Sequence, residues 1–266
     1  MNLKVMTFNL RYSNQGDGAN AWPLRKHRAA GIIRKHEPLI VGTQEGLLPM
    51  LEDLDAQLPE YGRVGTGREG HTEGEHCAIF YRKDVLSVKK TGQFWLSEQP
   101  DVPASKSWDS SLPRICTWAR FEWKDTPGSE LLFYNTHLDH VGQTAREKGA
   151  VLIWQSLQKH VARTSLPAIL TGDFNSYPDN AVVRFFRGET SIDGQTARLT
   201  DAYSLLPEVG RTAHSFQGGI EGQPPIDYIF VTPDVDLVSV TVDRSQIDGG
   251  YPSDHYPVVA QIRITV

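Results

Sequence analysis

The sequence predicts an α/β fold of the α+β kind, with two β-sheets packed face to face and helices on their outer sides. Three observations predict it: short β-branched and aromatic runs dominate, amphipathic stretches are spaced between them, and strands alone close the chain. No repeat, low-complexity tract or linker divides the 266 residues, so residues 1–266 are expected to form a single domain. A hydrophobic share of 39% beside 22% charged residues is enough to bury a real core.

Residues 3–9 read as a first strand, and residues 23–36 as a helix with Pro23 near its start, where its missing N–H costs nothing. Residues 39–45 are an apolar run ending in polar residues, the pattern of a buried strand. Leu47, Leu51, Leu54 and Leu58 then recur at helical spacing. Residues 77–82, 85–89 and 115–123 are strands. In the last of these Ile115, Thr117, Ala119, Phe121 and Trp123 share one face, while Arg120 and Glu122 lie on the other. A strand over 131–137 leads into a helix over 144–162, a strand over 168–172 and a short helix over 178–186. Strands over 226–231, 235–242 and 257–266 complete the chain. Loops 65–74 and 99–113 are long, and long loops in compact domains are often functional.

The net charge of −5, from 32 acidic against 27 basic residues, argues against a surface built to neutralise many nucleic-acid phosphates. Cys77 and Cys116 each sit in an apolar stretch and read as buried thiols, with a disulfide as the alternative. No apolar run approaches the length that spans a bilayer, and the first ten residues lack the pattern of a leader. A cytoplasmic protein with no membrane partner is expected.

The chemistry-bearing residues fall at strand ends. Asn9 ends the first strand and Gln44-Glu45 the second. Asn135-Thr136-His137 and Gly172-Asp173-Phe174-Asn175 end two more, Asp227 opens another, and Ser253-Asp254-His255 directly precedes the last. Taken alone, each has a bland reading: Asp173 before Asn175 suits a turn, His137 a satisfied core histidine, Asp254 a cap. Together they are harder to dismiss, because burying so many polar groups is costly without mutual pairing or a ligand. Hard oxygen ligands suit Mg²⁺ or Mn²⁺, and imidazoles and amides suit phosphate oxygens. Arg114, just ahead of a strand, is either a bidentate phosphate grip or a salt-bridge partner; Trp108 and Arg68 are weaker candidates. Asp139 and His140 read as supporting groups or a helix cap.

On these motifs the chain resembles the endonuclease/exonuclease/phosphatase superfamily. The resemblance runs from Met6-Thr7-Phe8-Asn9 to Ser253-Asp254-His255-Tyr256-Pro257-Val258, with Thr43-Gln44-Glu45, Asn135-Thr136-His137-Leu138 and Thr171-Gly172-Asp173-Phe174-Asn175 between them in the expected order. It implies a four-layer sandwich, two packed mixed β-sheets flanked by helices, and a metal-dependent phosphoesterase that cuts phosphate ester or phosphodiester bonds with activated water. By the same resemblance Glu45 is the main protein ligand of Mg²⁺ or Mn²⁺, with Asn9 and Asp254 beside the metal. Asp173 orients or deprotonates the attacking water. His137 and Asn175 contact the scissile phosphate, and His255, its ring held by Asp227, donates to a phosphate oxygen. Pro224-Pro225-Ile226-Asp227-Tyr228-Ile229-Phe230 departs from the Pro-Ala-Trp-Cys-Asp-Arg run of the inositol phosphatases and from the Arg-Ile-Asp run of abasic-site endonucleases. The nearest likeness is to a bacterial branch distantly similar to deadenylases. The expected partner is a small or soluble phosphorylated substrate, with no obligate protein partner. A nuclease acting on DNA or RNA is the alternative, and a catalytically silent binding module a third reading that the full complement of catalytic side chains opposes.

Overall fold

A computed structural model describes residues 1–264. One sheet is built from β1 (Asn2–Asn9), β2 (Ile40–Gln44), β3 (Tyr61–Val64), β4 (Ile79–Arg82), β11 (Val235–Val242) and β12 (Val258–Ile264), in the order β11-β12-β1-β2-β4-β3. The other is built from β5 (Leu86–Trp95), β6 (Ile115–Trp123), β7 (Glu130–His137), β8 (Ala168–Asp173), β9 (Thr200–Asp201) and β10 (Asp227–Val231), in the order β5-β6-β7-β8-β10-β9. Each sheet holds one parallel pair at its centre, β1 with β2 and β7 with β8, among antiparallel neighbours. A parallel pair needs a long crossover, and α1 (Trp22–His36) and α3 (Gln143–Thr164) supply the two.

This arrangement decides where the polar strand ends go. Parallel pairing sets Asn9 beside Gln44 and His137 beside Asp173, while antiparallel β10 sets Asp227 opposite Asp173. All of these therefore reach the same edge of the molecule. On the outer face of the first sheet, Ala29 and Ile33 of α1 and Leu51 and Leu54 of α2 (Leu48–Gln57) cover Met6, Phe8, Val41 and Phe80. On the second sheet α3 and α4 (Ala181–Phe186) do the same, with Phe186 against Phe230 at 5.5 Å between ring centroids. The four layers and mixed sheets expected from the sequence are present.

The interface between the sheets is apolar at one end and polar towards the strand ends. Gln44 Nε2 donates to Asn135 Oδ1 (2.7 Å) and Thr7 Oγ1 (3.1 Å), and Asn135 Nδ2 donates across to Thr43 O (2.8 Å) and Ala78 O (3.0 Å). These amides are fully buried. Each bond contributes about 0.5–1.5 kcal/mol, and leaving a partner unpaired costs more. Gln44 and Asn135, two of the polar strand-end residues, thus join the sheets and do not reach the surface. Gly42 lies at the closest approach, where a Cβ would collide with Thr171 Oγ1 and Asn135 Oδ1.

Several elements differ from expectation. The strand predicted over 85–89 continues to Trp95 through a bulge between Val88 and Lys90. The strand predicted over 77–82 starts at Ile79, and both Cys77 and Cys116 are buried free thiols. The edge strands β3 and β9 escaped prediction: Gly62-Arg63 breaks the apolar alternation of one, and the other has only two residues. The helix predicted over 178–186 begins at Ala181, where Asn180 caps Val182 N. Residues 265 and 266 of the predicted closing strand lie outside the described residues.

One surface contact ties the first crossover helix to the far edge of its sheet. Asp243 accepts from Lys35 Nζ (2.7 Å) and faces His36 Nε2 (2.6 Å) at the end of α1. Although burial opposes it, these donors and Ser245 hold the carboxyl well below the usual carboxylate range. A carboxyl depressed on folding stabilises the native state above its unfolded value and loses that contribution as pH falls below about 4. Asp243→Asn is therefore expected to lower the unfolding free energy by about 1–2 kcal/mol at neutral pH. In urea titrations across pH the gap should close on acidification; equal midpoints at neutral pH would refute the contribution.

Candidate active site

Two residues leave their strands in the left-handed region, Glu45 at φ +62° just past β2 and Asn175 at φ +45° just past β8. Neither is glycine, and such conformations cost of order 1–3 kcal/mol, so the surroundings must hold them. They do. Tyr12 N donates to Glu45 Oε2 (2.9 Å) and Asn9 Nδ2 to Glu45 Oε1 (2.9 Å). Asn175 N donates to Asp173 Oδ1 (2.9 Å), and its side-chain amide donates to Leu138 O (3.0 Å).

At this edge lies a cavity of about 530 Å³ whose lining includes Glu45, Arg114, His137, Asp173, Asn175 and His255. Asn9 and Asp227 stand behind it, fully buried. Asn9 Nδ2 reaches both Glu45 Oε1 and Asp173 Oδ2 (3.0 Å), while its Oδ1 accepts from Arg11 N, so it holds two acids together. Asp254 lies to one side, 3.8 Å from Arg11 Nε, and its backbone carbonyl accepts from His214 N. A larger hollow of about 870 Å³, lined by Arg187 and Glu189, β9 and residues from the 208–225 segment, contains none of these groups.

The two central histidines are shifted in opposite directions. His255 Nδ1 is 2.9 Å from Asp227 Oδ2 and 3.9 Å from Asp173 Oδ2. Burial works against its charge, but these carboxylates outweigh it and raise its pKa well above the usual histidine value. With Nδ1 taken by Asp227, the Nε2–H remains for the cavity. His137 is pushed the other way, by burial first and then by the Arg114 charge, and is neutral at pH 7. Both hydrogens of Asn175 Nδ2 are used, one on Leu138 O and one on His137 Nε2 (3.1 Å), so the His137 proton sits on Nδ1. Asp173 is raised to about 7, by burial and then by Asp227 across the ladder, with His255 opposing.

Sequence reasoning missed Glu75. It lies in the same cavity with its Oε2 4.0 Å from His137 Nδ1 and 2.9 Å from Arg68 Nη1, and burial raises its pKa. Its only signal was position next to the long 65–74 loop. Arg11 and Tyr12 were missed too; Arg11 is held by two bonds to Asp17 and lines the cavity.

Glu45, His137 and Asp173 each offer a ligand atom within 4.8 Å of the other two, and Asp173, Asp227 and His255 form a second such trio. The second is occupied by its own ion pair. The first brings two carboxylates crowded by Asn9 within reach of one hard divalent cation, while His137, with Nδ1 protonated and Nε2 accepting from Asn175, borders that position. Asp227 Oδ1 is buried without a partner beside it. The residues present fit a metal.

Fold and site together define a four-layer α/β hydrolase built around a carboxylate and imidazole cluster at its strand ends. The chain belongs to the endonuclease/exonuclease/phosphatase family, whose model matches residues 6–255. Members are divalent-metal-dependent phosphoesterase and nuclease hydrolases, and the protein is a hydrolase of this kind. It is 37% identical to an endonuclease/exonuclease/phosphatase from Bacteroides vulgatus, with both chains covered in full and a TM-score of 0.90. A mannosyl-6-phosphatase from Bacteroides thetaiotaomicron is 36% identical over 98% of this chain and 100% of its own, with a TM-score of 0.89. The human Nocturnin catalytic domain, 21% identical over 99% of this chain and 94% of its own with a TM-score of 0.71, shares the fold. No curated protein matches the chain. No helix among the described residues is long and apolar enough to cross a membrane.

Proposed function

We propose that the protein hydrolyses a phosphate ester of a small, soluble substrate, with Mg²⁺ or Mn²⁺ held at the Glu45 cluster. One observation carries this reading: a cavity of about 530 Å³ gathers the Glu45 and Asp173 carboxylates, the His255 imidazole and the Arg114 guanidinium. That volume is the size of small-molecule sites. The likeness to a mannosyl-6-phosphatase over nearly all of both chains supports a small phosphorylated substrate.

In this reading Glu45 is the principal metal ligand, with Asn9 and Asp254 completing its surroundings. The bound ion would supply charge neutralisation at the phosphate and acidify water. Asp173 orients the attacking water and accepts its proton, itself held in place by Asn9 Nδ2 and Asn175 N. The water oxygen forms the new P–O bond as the ester P–O bond breaks, and the leaving oxygen takes up a proton from solvent water. His255, oriented by Asp227, donates Nε2–H to a phosphate oxygen, and Asn175 and His137 border the same phosphate. Of these, His255 is the preorganised donor aimed where charge accumulates, while Asn175 holds the His137 ring.

A panel of sugar phosphates, a generic phosphodiester and labelled oligonucleotides tests the reading. Turnover should require Mg²⁺ or Mn²⁺ and vanish in EDTA, returning when either ion is added back. Sugar phosphates should be preferred, and oligonucleotides should bind weakly at physiological salt, given the net charge of −5. Full activity in EDTA removes the metal from the mechanism, and tight oligonucleotide binding with a steep salt slope restores the nuclease alternative.

A further inference from the structure

Arg114 is 5% exposed, yet its Nε has no hydrogen-bond partner. Its Nη2 faces His140 Nδ1 at 2.9 Å, and Nε lies 3.5 Å from Asp139 Oδ2. Arg68 repeats the pattern on the same cavity: Nη1 is bound to Glu75, while the buried Nε has no hydrogen bond and lies 3.6 Å from Glu69 Oε1. Buried guanidinium N–H groups left unpaired are costly. Each Nε is sealed against its carboxylate, which leaves the terminal nitrogens Arg114 Nη1 and Arg68 Nη2, without a hydrogen bond of their own among the described residues, on two guanidiniums that line one cavity, an arrangement that suits an anion between them.

Beneath this wall Asp139 is 2% exposed. Its Oδ1 accepts from Val141 N (3.0 Å) and Gly142 N (2.8 Å), just ahead of α3, and its Oδ2 accepts from Ser111 N (3.1 Å) and Ser111 Oγ (2.7 Å). The carboxylate thereby pins the end of the long 99–113 loop to the start of the helix, with Arg114 lodged between. Asp139 is spent largely on these donors, so Arg114 keeps charge to offer the cavity.

We propose that Arg68 and Arg114, with His140, form a recognition site for a terminal phosphate dianion, that the substrates are therefore phosphomonoesters, and that Asp139 is the positioning residue of this site. The inference rests on the phosphoesterase reading above and narrows it. A monoester near neutral pH carries about −1.5 to −2 charges and three free oxygens. A guanidinium fork matches such oxygens bidentately, beyond what the metal cluster and His255 take up. A diester has less charge and gives up one of those oxygens to a second arm, so the same wall binds it less well.

The test compares mannose 6-phosphate with its methyl phosphodiester at saturating Mn²⁺, and measures inorganic phosphate binding by calorimetry. Arg114→Gln should lower the monoester-to-diester ratio of kcat/KM by about 10- to 100-fold, chiefly through KM, and weaken inorganic phosphate binding by a similar factor. Arg114→Lys, which keeps the charge without the fork, should recover only part. Asp139→Asn should move the ratio the same way; should it fail to fold, Ser111→Ala, which removes one of its donors, reads the same effect. A wild-type preference for the diester, or an equal loss on both substrates in Arg114→Gln, overturns the dianion site alone. A ratio that Asp139→Asn and Ser111→Ala leave unmoved overturns the positioning role. A wild-type protein that turns over neither substrate and binds no phosphate overturns the phosphoesterase reading and this inference with it.

Discussion

Asp173→Asn is expected to lower kcat by about 10²–10⁴ at saturating metal, the range that general-base assistance contributes. The substitution preserves shape, and Asn175 N can still donate to the retained oxygen, so the left-handed turn past β8 should survive. What disappears is the group that takes the proton of the attacking water. Asp173 is well suited to that role because it is buried, and burial together with Asp227 raises it to about 7. Circular dichroism and urea titration should show a folded protein, and adding Mn²⁺ should not restore the rate. Wild-type kcat in the folded variant would remove Asp173 from the chemistry.

The second large effect concerns the imidazolium. His255→Ala should lower kcat by about 10²–10³, as losing one preorganised donor to a developing charge typically does. Asp227→Ala should approach the same loss, because Asp227 Oδ2, 2.9 Å from His255 Nδ1, both orients the ring and keeps it charged. The two act through one ring, so the double variant should be little worse than His255→Ala. Full additivity of the two losses would separate them into independent roles. Asp227→Asn adds a discriminating readout: a side chain of the same shape that no longer favours the imidazolium should move the pH dependence of kcat, which a merely structural role would leave alone.

Much of this arrangement was legible in the sequence because rigid elements carry it. Asn9, Glu45, His137, Asp173 and Asp227 all stand at or beside strand termini, and apolar runs such as residues 39–45 and 168–172 announce those strands by composition alone. Once two parallel pairs and their crossovers are drawn, the termini meet at one edge. The alternation of residues 115–123 was equally plain, with the odd-numbered positions buried and Arg120 and Glu122 only half-buried. The rest was set by contacts distant in sequence. Glu75 faces His137 because the loop between β3 and β4 folds back over the strand ends, with Glu73 and Glu75 carbonyls accepting from Glu69 and Arg68; no periodicity encodes that closure. Asp139 read as a supporting group or a helix cap, and the first turn of α3 is capped by Asp109, whose carboxylate accepts from Thr144 N and Ala145 N. Asp139 instead fixes the loop that carries Arg114. Gln44 and Asn135 share the polar strand ends of Glu45 and His137, and only the facing of the two sheets separates the pairs.

The sharpest test of the proposed chemistry is kcat as a function of Mn²⁺ concentration for Glu45→Gln beside Asp173→Asn. Glu45 is proposed to hold the metal, so Glu45→Gln should need far more Mn²⁺ for half-maximal rate, and excess metal should restore a large part of kcat. Asp173→Asn should saturate at metal concentrations much closer to wild type and plateau far below it. Rescue of Asp173→Asn with no rescue of Glu45→Gln would exchange the two roles, and wild-type curves for both would place the active site elsewhere in the protein.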